Sequence, residues 1–209
     1  MTNNYTYQEK ITECPLEQYE WERIWFEDVY DTEAKRVLYI GDSISNATFP
    51  YATSEARRKL IFNNFASSKG LDNPYYYPMI KMFIEQNERK DAIIINNGLH
   101  GWHLDDDKYE ELYLKLVENI KKCSPDTPIF IVLTTAVDDA REFSQRVPKR
   151  NERAIAVAKK ADAGIIDLYS VSKANKALLC DDGVHFIPEG YEVLGKEIIR
   201  ALGENQIIG

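Results

Sequence analysis

Four short apolar segments, separated by stretches long enough for a helix, constrain the fold of this chain more than any other feature. They lie within RVLYIGDS (36–43), DAIIIN (91–96), TPIFIVLTT (127–135) and IIDLY (165–169). Because the segments are apolar throughout rather than alternating, they predict strands that are buried on both faces, as in a parallel sheet. Strands that alternate with helices predict an α/β protein with helices on both faces of the sheet.

Helical patterns fill the stretches between these strands. The clearest is DDDKYEELYLKLVENIKKC (105–123), in which Tyr109, Leu112, Leu116 and Ile120 line one face between an acidic start and a basic end. Apolar spacing, caps and prolines predict further helices in TSEARRKLIF (53–62), PYYYPMIKMFIEQNERK (74–90), PKRNERAIAVAKKADAG (148–164), VSKANKALL (171–179) and PEGYEVLGKEIIRALG (188–203). The remaining stretch, NNFASSKGLDNP (63–74), is typical of a loop.

Length, charge and cysteine content limit the class of protein. We expect one domain over residues 1–209, with a polar lead-in over 1–35 that packs against it. The net charge of −8 argues against a nucleic-acid partner, because phosphate binding needs clustered lysine and arginine. Three widely spaced cysteines are typical of a reduced protein. The start lacks a signal-peptide pattern and no apolar stretch reaches ~18 residues, so we expect a cytoplasmic protein without a membrane partner.

Polar loops follow the first three predicted strands, and the first of them carries Ser43. Ligands of parallel sheets bind beyond the carboxyl ends of the strands, so we expect these loops to converge on one site. A serine directly after a strand can be held at a strand-to-helix turn, where free backbone N–H groups of the helix face an anion. On this fragment alone, however, a serine or aspartate after a strand is more often just a helix cap.

A carboxylate and a histidine stand three residues apart near the end of the chain. Asp182 and His185 lie in CDDGVHFIPEGY (180–191). A histidine activates a serine well only in the correct tautomer, and a carboxylate on its other ring nitrogen fixes that tautomer and stabilises the imidazolium. The pair therefore predicts a general base, although an Asp-x-x-His spacing by itself is usually structural.

Taken together, residues 41–43 (GDS) and 182–185 (DGVH) resemble the first and last motif blocks of the SGNH hydrolase superfamily, the GDSL-type esterases and acylhydrolases. The resemblance extends from the first predicted strand to the end of the chain. It implies Ser43 as nucleophile, His185 as general base and then acid, and Asp182 as the orienting carboxylate. It also implies a three-layer α/β/α sandwich with a mainly parallel, flavodoxin-like sheet, and a reaction that needs no metal or organic cofactor.

The resemblance further implies an oxyanion hole built partly from backbone groups. One donor is the N–H of Ser43. A second comes from a glycine N–H in the loop after the second motif block, for which Gly70 is the candidate, and the match could instead fall on Ser68 or Lys69. A backbone donor tolerates any of these residue types.

The third donor of that family is normally an asparagine in a Gly-x-Asn-Asp block directly after a strand. Here residues 98–101 read GLHG, which departs from the pattern and is similar to one branch of carbohydrate-acting members. His100 stands at the asparagine position, and a neutral imidazole can donate one N–H. Asn96 or Asn97 could donate instead, because alternation along the strand points one of them toward the pocket.

His100 and His103 also permit a metal site. With Asp105 they would supply three ligands of a tetrahedral zinc ion, so a metal-dependent hydrolase is one alternative. Against it, the histidines bracket a Gly-Trp pair in a loop, and residues 105–107 have a sufficient role as anions at a helix start. His103 is either a structural loop histidine or a substrate contact beside Trp102, whose flat ring could stack on a sugar.

We therefore predict a serine ester hydrolase that removes a small acyl group, with an acetylated carbohydrate as the substrate that the resemblance suggests. Its partner would be a small-molecule or oligosaccharide ester. We assign Asp42, Trp102 and His103 to substrate binding. The missing asparagine motivates a second alternative, a non-catalytic SGNH-like carbohydrate-binding module.

Overall fold

Strands and helices alternate along the chain in a computed structural model, which describes residues 14–57 and 59–208. The strands are β1 (Glu22–Trp25), β2 (Lys35–Gly41), β3 (Leu60–Ser67), β4 (Ala92–Ile95), β5 (Ile129–Val132) and β6 (Gly164–Ile166). The helices are α1 (Ser43–Glu55), α2 (Tyr76–Glu85), α3 (Asp106–Cys123), α4 (Val147–Lys160), α5 (Leu168–Ala174) and α6 (Pro188–Glu204). A short 3₁₀ helix, Lys176–Leu178, follows α5.

The described strands form one sheet in the order β1-β3-β2-β4-β5-β6. All neighbouring pairs are parallel except β1 and β3. Without its antiparallel edge strand, the sheet has the strand order of a flavodoxin-like, doubly wound fold. A crevice is expected where the strand order reverses, which here is between the carboxyl ends of β2 and β4. The predicted three-layer α/β/α architecture is confirmed.

Side chains of the sheet alternate between two buried cores. On β2, Val37 and Tyr39 contribute to the core beneath α1 and α6, while Leu38 and Ile40 contribute to the core beneath α2, α3 and α4. Each fully buried aliphatic side chain of this kind stabilises the fold by ~1.5–3 kcal/mol. Both faces of β2 are therefore anchored, and the loop that follows it starts from a rigid strand.

Most of the predicted elements are confirmed. Each of the four apolar segments contains a strand, and α3 begins after the N-cap Asp105, whose carboxylate accepts a hydrogen bond from Lys108 N–H at 2.7 Å. Pro188 occupies the first turn of α6, as expected for a residue without an N–H. The helix predicted over 148–164 is shorter, because its last residue, Gly164, already belongs to β6.

The predictions for 53–62 and 63–74 were wrong. The helix α1 begins at Ser43 and ends at Glu55, and Leu60–Ser67 is the strand β3, paired with both β1 and β2. Two buried asparagines make the sequence of this strand resemble that of a loop. Asn63 donates to Asn87 Oδ1 at 2.6 Å, and Asn64 donates to the Tyr39 carbonyl at 3.0 Å, so the NH₂ group of each amide has a partner within the protein.

The lead-in packs on the sheet over its described part, 14–35. β1 adds an antiparallel edge to β3, and the backbone of Trp21 exchanges hydrogen bonds with Ser68 through its N–H and its carbonyl. Arg36 donates to three backbone carbonyls between residues 27 and 31. Residues 1–13 of the predicted lead-in lie outside the described residues. Within the described part of the chain, no helix combines the length and the hydropathy that a bilayer crossing requires.

Candidate active site

Ser43 is the first residue of α1, directly after β2 and the N-cap Asp42. The Asp42 carboxylate accepts a hydrogen bond from Ile44 N–H at 2.9 Å and is only 2% exposed. Gly41 permits this tight turn, because a Cβ there would lie 2.7 Å from the side chain of Ser45. The Asp42 side chain is thus buried in the cap that orients Ser43, and a role for Asp42 in substrate binding stays a prediction.

Ser43, His185 and Asp182 are brought together across the crevice. The Oγ of Ser43 lies 2.8 Å from Nε2 of His185, and Nδ1 of His185 lies 2.6 Å from Oδ2 of Asp182. Ser43 and His185 are 142 residues apart in the sequence, so tertiary folding alone forms this contact. The distances are those of a hydrogen-bonded nucleophile, base and orienting acid.

Asp182 is held ionised by its own loop. Its Oδ1 accepts hydrogen bonds from the N–H groups of Val184 and His185, both at 2.9 Å, in a turn that Gly183 permits with a φ of +66°. Burial alone would raise the pKa of Asp182, but these N–H groups and the His185 ring outweigh it and lower the pKa to about 2. A carboxylate can only accept, so Nδ1 of His185 carries the proton and Nε2 is free to take one from Ser43.

The loop after β4, residues 96–101, forms the facing wall of the crevice and is held by Arg150 of α4. The guanidinium donates to the carbonyls of Gly98, His100 and Gly101 and is fully buried. Burial lowers the pKa of Arg150 to about 10, so it remains charged at neutral pH. The sequence prediction missed this residue. The available signal was its helical spacing from apolar residues, since Arg150 lies on the same buried face of α4 as Val147, Ala154 and Val157.

His100 faces a carboxylate from the lead-in. Its Nδ1 lies 3.5 Å from Oε1 of Glu17, and the same oxygen accepts a hydrogen bond from Gly101 N–H at 3.2 Å. Contact with His100 lowers the pKa of Glu17 below its usual range, against the effect of burial. Glu17 was not predicted from the sequence, because an acidic residue in a polar segment carries no local signal. The role of His100 as an oxyanion donor stays a prediction.

The asparagines of the loop are engaged with backbone. Asn96 donates to the Val132 carbonyl at 2.7 Å and to Thr134 Oγ1 at 3.1 Å, which uses both hydrogens of its amide. Asn97 is 3% exposed and donates to the Lys69 carbonyl at 2.9 Å. The amides therefore hold the loop in place, and donation by Asn97 to an oxyanion stays a prediction beside that of His100.

Gly70 lies against the same loop. A Cβ on Gly70 would come within 3.0 Å of the Cα of Gly101, so the two backbones touch where only glycine fits. Gly101 also has a φ of +64°, which glycine adopts without strain. The structure thus brings the Gly70 loop next to the His100 loop, and donation by Gly70 N–H stays a prediction.

Trp102 packs against an aromatic ring and a buried cation. The Phe143 ring stacks on its indole with centroids 4.8 Å apart, and the Arg150 guanidinium lies 4.0 Å from the indole centroid. Trp102 therefore covers the buried cation, and its role in stacking on a sugar stays a prediction.

The candidate metal ligands are each engaged elsewhere. Asp105 caps α3, His100 faces Glu17, and Nε2 of His103 lies 2.6 Å from Oδ2 of Asp72. Over residues 14–57 and 59–208, no group of three or more His, Cys, Asp or Glu side chains is arranged to hold a metal ion. His103 therefore has a structural partner that accounts for its position, and its role as a substrate contact stays a prediction.

Comparison with protein-family models finds no match, and comparison with curated proteins finds none either. Solved structures do match. An acetyl xylan esterase has a TM-score of 0.64 and 18% identity over 80% of this chain and 99% of its own. The C-terminal catalytic domain of Streptococcus pneumoniae peptidoglycan O-acetyltransferase A has a TM-score of 0.65 and 19% identity, covering 83% and 95%. A lipase/acylhydrolase from Enterococcus faecalis has a TM-score of 0.63 and 18% identity, covering 82% and 96%. At these identities the likeness establishes a shared fold.

Proposed function

We propose that this chain is a serine ester hydrolase of the SGNH type, with Ser43 as nucleophile, His185 as general base and Asp182 as orienting carboxylate. One observation carries the proposal. The three side chains form a continuous hydrogen-bonded chain of 2.8 Å and 2.6 Å at the carboxyl end of β2. The fold shared with structures described as esterases, acylhydrolases and an acyltransferase domain supports the same chemistry.

In the first half of the reaction, Ser43 Oγ attacks the ester carbonyl while Nε2 of His185 takes the hydroxyl proton. The negative charge that develops on the carbonyl oxygen is stabilised by the N–H groups of Ser43 and Gly70 and by the ring of His100. A well-aligned donor of this kind contributes ~3–4 kcal/mol to transition-state stabilisation. The alcohol then leaves with the proton of His185, and the acyl group stays on Ser43 as an ester.

In the second half, His185 removes a proton from water, which attacks the acyl-enzyme carbonyl. The second tetrahedral species collapses, the acid leaves, and Ser43 regains its proton from His185. The ionised Asp182 stabilises the imidazolium that exists in both halves. Each step uses only side chains and backbone groups of the chain and water.

The substrate that we propose is a small acyl ester of a carbohydrate, with acetyl as the acyl group. Structures described as an acetyl xylan esterase and an acetyl-xylooligosaccharide esterase have this fold. The loop beside the triad supports a polar alcohol. Asp138 donates its N–H to the Gly183 carbonyl at 2.8 Å, and it and Arg141 are exposed there. Polar groups of this kind suit hydroxyl-rich substrates better than long acyl chains.

Transfer of the acyl group to a sugar hydroxyl is a second candidate activity. The fold that the chain shares with an O-acetyltransferase catalytic domain favours it, because both reactions pass through an acyl-serine. They differ only in whether water or an alcohol attacks. Measuring released acetate against acetylated sugar product, at increasing concentrations of an acceptor oligosaccharide, distinguishes the two.

Kinetics on synthetic esters test the proposal. The wild type should hydrolyse p-nitrophenyl acetate faster than the butyrate and octanoate esters, and Ser43→Ala and His185→Ala should abolish turnover. Ser54→Ala is the matched control, since this exposed serine lies at the other end of the same helix. Circular dichroism verifies that each variant is folded. Wild-type turnover by Ser43→Ala would contradict the proposal, and activity lost to a chelator and restored by zinc would favour the metal-dependent alternative.

A further inference from the structure

A cavity of about 400 Å³ lies between the edge strand β1 and the second half of α1. On the strand side it is lined by Arg23 and Trp25 of β1 and by Glu27 just beyond it. The residues between them, Ile24 and Phe26, pack on the opposite face of the sheet, against the core beneath α2, α3 and α4. The alternation of the strand thus directs three side chains into one cavity, whose volume is typical of a small-molecule site.

Trp25 presents an aromatic surface in this cavity. The residue is 44% exposed, whereas tryptophans are highly buried on average. Its indole N–H donates to Oε2 of Glu27 at 2.6 Å, and the Arg23 guanidinium lies 5.3 Å from its ring centroid. Its two neighbours on the same face of the strand therefore hold the ring in place at the surface.

The composition of the cavity favours a neutral, hydroxyl-rich ligand. Arg23 and Glu27 carry opposite charges on either side of Trp25 along the chain, so neither an anion nor a cation is favoured overall. Phe49 and Pro50 add apolar surface from α1. A sugar matches this combination, because its C–H faces can pack on an indole while its hydroxyl groups bond to a carboxylate and a guanidinium.

The cavity also lies along the helix face that begins with Ser43. Ser43, Ala47 and Pro50 follow one another at helical spacing, and none of the three is buried. At a rise of ~1.5 Å per residue, Pro50 stands ~10 Å along α1 from Ser43. An accessible surface therefore connects the proposed nucleophile with the cavity.

We propose that this cavity, which we call the Trp25 subsite, binds a sugar unit of the oligosaccharide ester whose acyl group reacts at Ser43. The choice of ligand rests on the proposed function, while the subsite itself lies outside the proposed triad and oxyanion hole. An oligosaccharide that extends from Ser43 along the exposed face of α1 places a later unit against the Trp25 ring. Glu27 then accepts hydrogen bonds from the hydroxyl groups of that unit, and Arg23 donates to them.

Binding of unacetylated oligosaccharides tests the subsite without turnover. The chain has three tryptophans, Trp21, Trp25 and Trp102, so their indole N–H signals in nuclear magnetic resonance can be assigned with single substitutions. Xylohexaose, cellohexaose and chitohexaose are each titrated into folded wild type to millimolar concentration. At least one should shift the Trp25 signal, because the indole N–H bonds to Glu27 within the subsite. No shift of the Trp25 signal with any of the three would overturn the inference.

Calorimetry with the oligosaccharide that binds then measures the contribution of the ring. Trp25→Ala should weaken binding by ~10-fold, as expected for the loss of one aromatic anchor. Tyr30→Ala is the matched control, because Tyr30 is a 93% exposed aromatic residue of the same lead-in that does not line the cavity, and it should bind as the wild type does. Equal affinities of Trp25→Ala and Tyr30→Ala would overturn the inference.

Kinetics connect the subsite with the proposed reaction. Trp25→Ala should raise KM for the acetylated form of that oligosaccharide by ~10-fold relative to KM for p-nitrophenyl acetate, which is too short to reach from Ser43 to Trp25. Tyr30→Ala should leave this ratio unchanged. Equal changes in both KM values would contradict the inference. A wild type that binds the oligosaccharide at Trp25 but hydrolyses no ester would refute the proposed function alone, and an active wild type without binding at Trp25 would refute the inference alone.

Discussion

Replacing Arg150 by lysine should destabilise the protein by several kcal/mol. The buried guanidinium donates to three carbonyls, those of Gly98, His100 and Gly101. The compact ammonium of lysine cannot reach all three carbonyls as the planar guanidinium does. We therefore expect about two buried carbonyls to lose a charged donor. Each such hydrogen bond contributes ~1.5–3 kcal/mol, which gives an expected loss of roughly 3–6 kcal/mol in the free energy of unfolding. Because this loop also carries the proposed oxyanion donor, kcat should fall by ~10²-fold.

Urea unfolding monitored by circular dichroism measures the stability of Arg150→Lys. Arg153→Lys is the matched control, one turn further along α4. Arg153 is 40% exposed and pairs with Asp107 and Glu110, so its replacement should change the free energy of unfolding by no more than ~1 kcal/mol. If Arg150→Lys unfolds within ~1 kcal/mol of the wild type, the claim that Arg150 holds this loop is wrong.

Asp182→Asn should lower kcat by about 10⁴-fold, because an amide no longer fixes the His185 tautomer. The native pKa of Asp182, about 2, lies below its unfolded value of ~4, so Asp182 stabilises the fold above that range. This contribution to the free energy of unfolding is lost as pH falls from ~4 to ~2. When unfolding is measured as a function of pH, the Asp182→Asn variant should not show that loss. Trp102→Phe should cost ~1–2 kcal/mol of stability, because the buried cation loses part of its aromatic cover. A raised KM of this variant for an acetylated oligosaccharide would support the predicted sugar-stacking role of Trp102, and an unchanged KM would exclude it. Gly98→Ala should lower the melting temperature strongly, because the added Cβ would lie 1.6 Å from Thr134 Oγ1. Gly203→Ala should leave the melting temperature unchanged, because a Cβ at that position would have no atom within 4 Å.

The sheet and the three residues of the proposed triad could be predicted from the sequence because their signals are local. Four strands are continuous apolar segments, and α3 carries its own cap, apolar face and charged ends. Likewise, Asp182 and His185 occupy a single loop, and Ser43 follows a strand directly. The contact between Ser43 and His185 is not local. It was expected only from the resemblance, and from the rule that the carboxyl ends of parallel strands meet at one edge.

The errors arose where distant contacts satisfy polar residues. Asn63 and Asn64 are typical of loops, yet in β3 their amides bond to Asn87 and to the Tyr39 carbonyl, so a central strand carries two buried amides. The helix α1 contains Pro50 and many β-branched or hydroxyl residues, which weaken its pattern. In both cases local propensity was overridden by tertiary packing.

Glu17 was missed for a related reason. Its partner Gly101 lies 84 residues further along the chain, and nothing near Glu17 marks it as different from the other acidic residues of the lead-in. The contacts of Trp102 with Phe143 and Arg150 were also missed, because both partners are distant in the sequence. A sequence specifies which groups can do chemistry more readily than it specifies what holds them in place.

The central claim is that Ser43 is an activated nucleophile, and covalent labelling tests it most directly. A fluorophosphonate probe reacts with a serine whose hydroxyl is deprotonated by a neighbouring base. Incubation with the folded wild type, followed by proteolysis and mass spectrometry, should locate one equivalent of probe on Ser43, in proportion to the loss of esterase activity. His185→Ala should label far more slowly. Absence of labelling in folded wild-type protein, or a label on a different residue, would contradict the account.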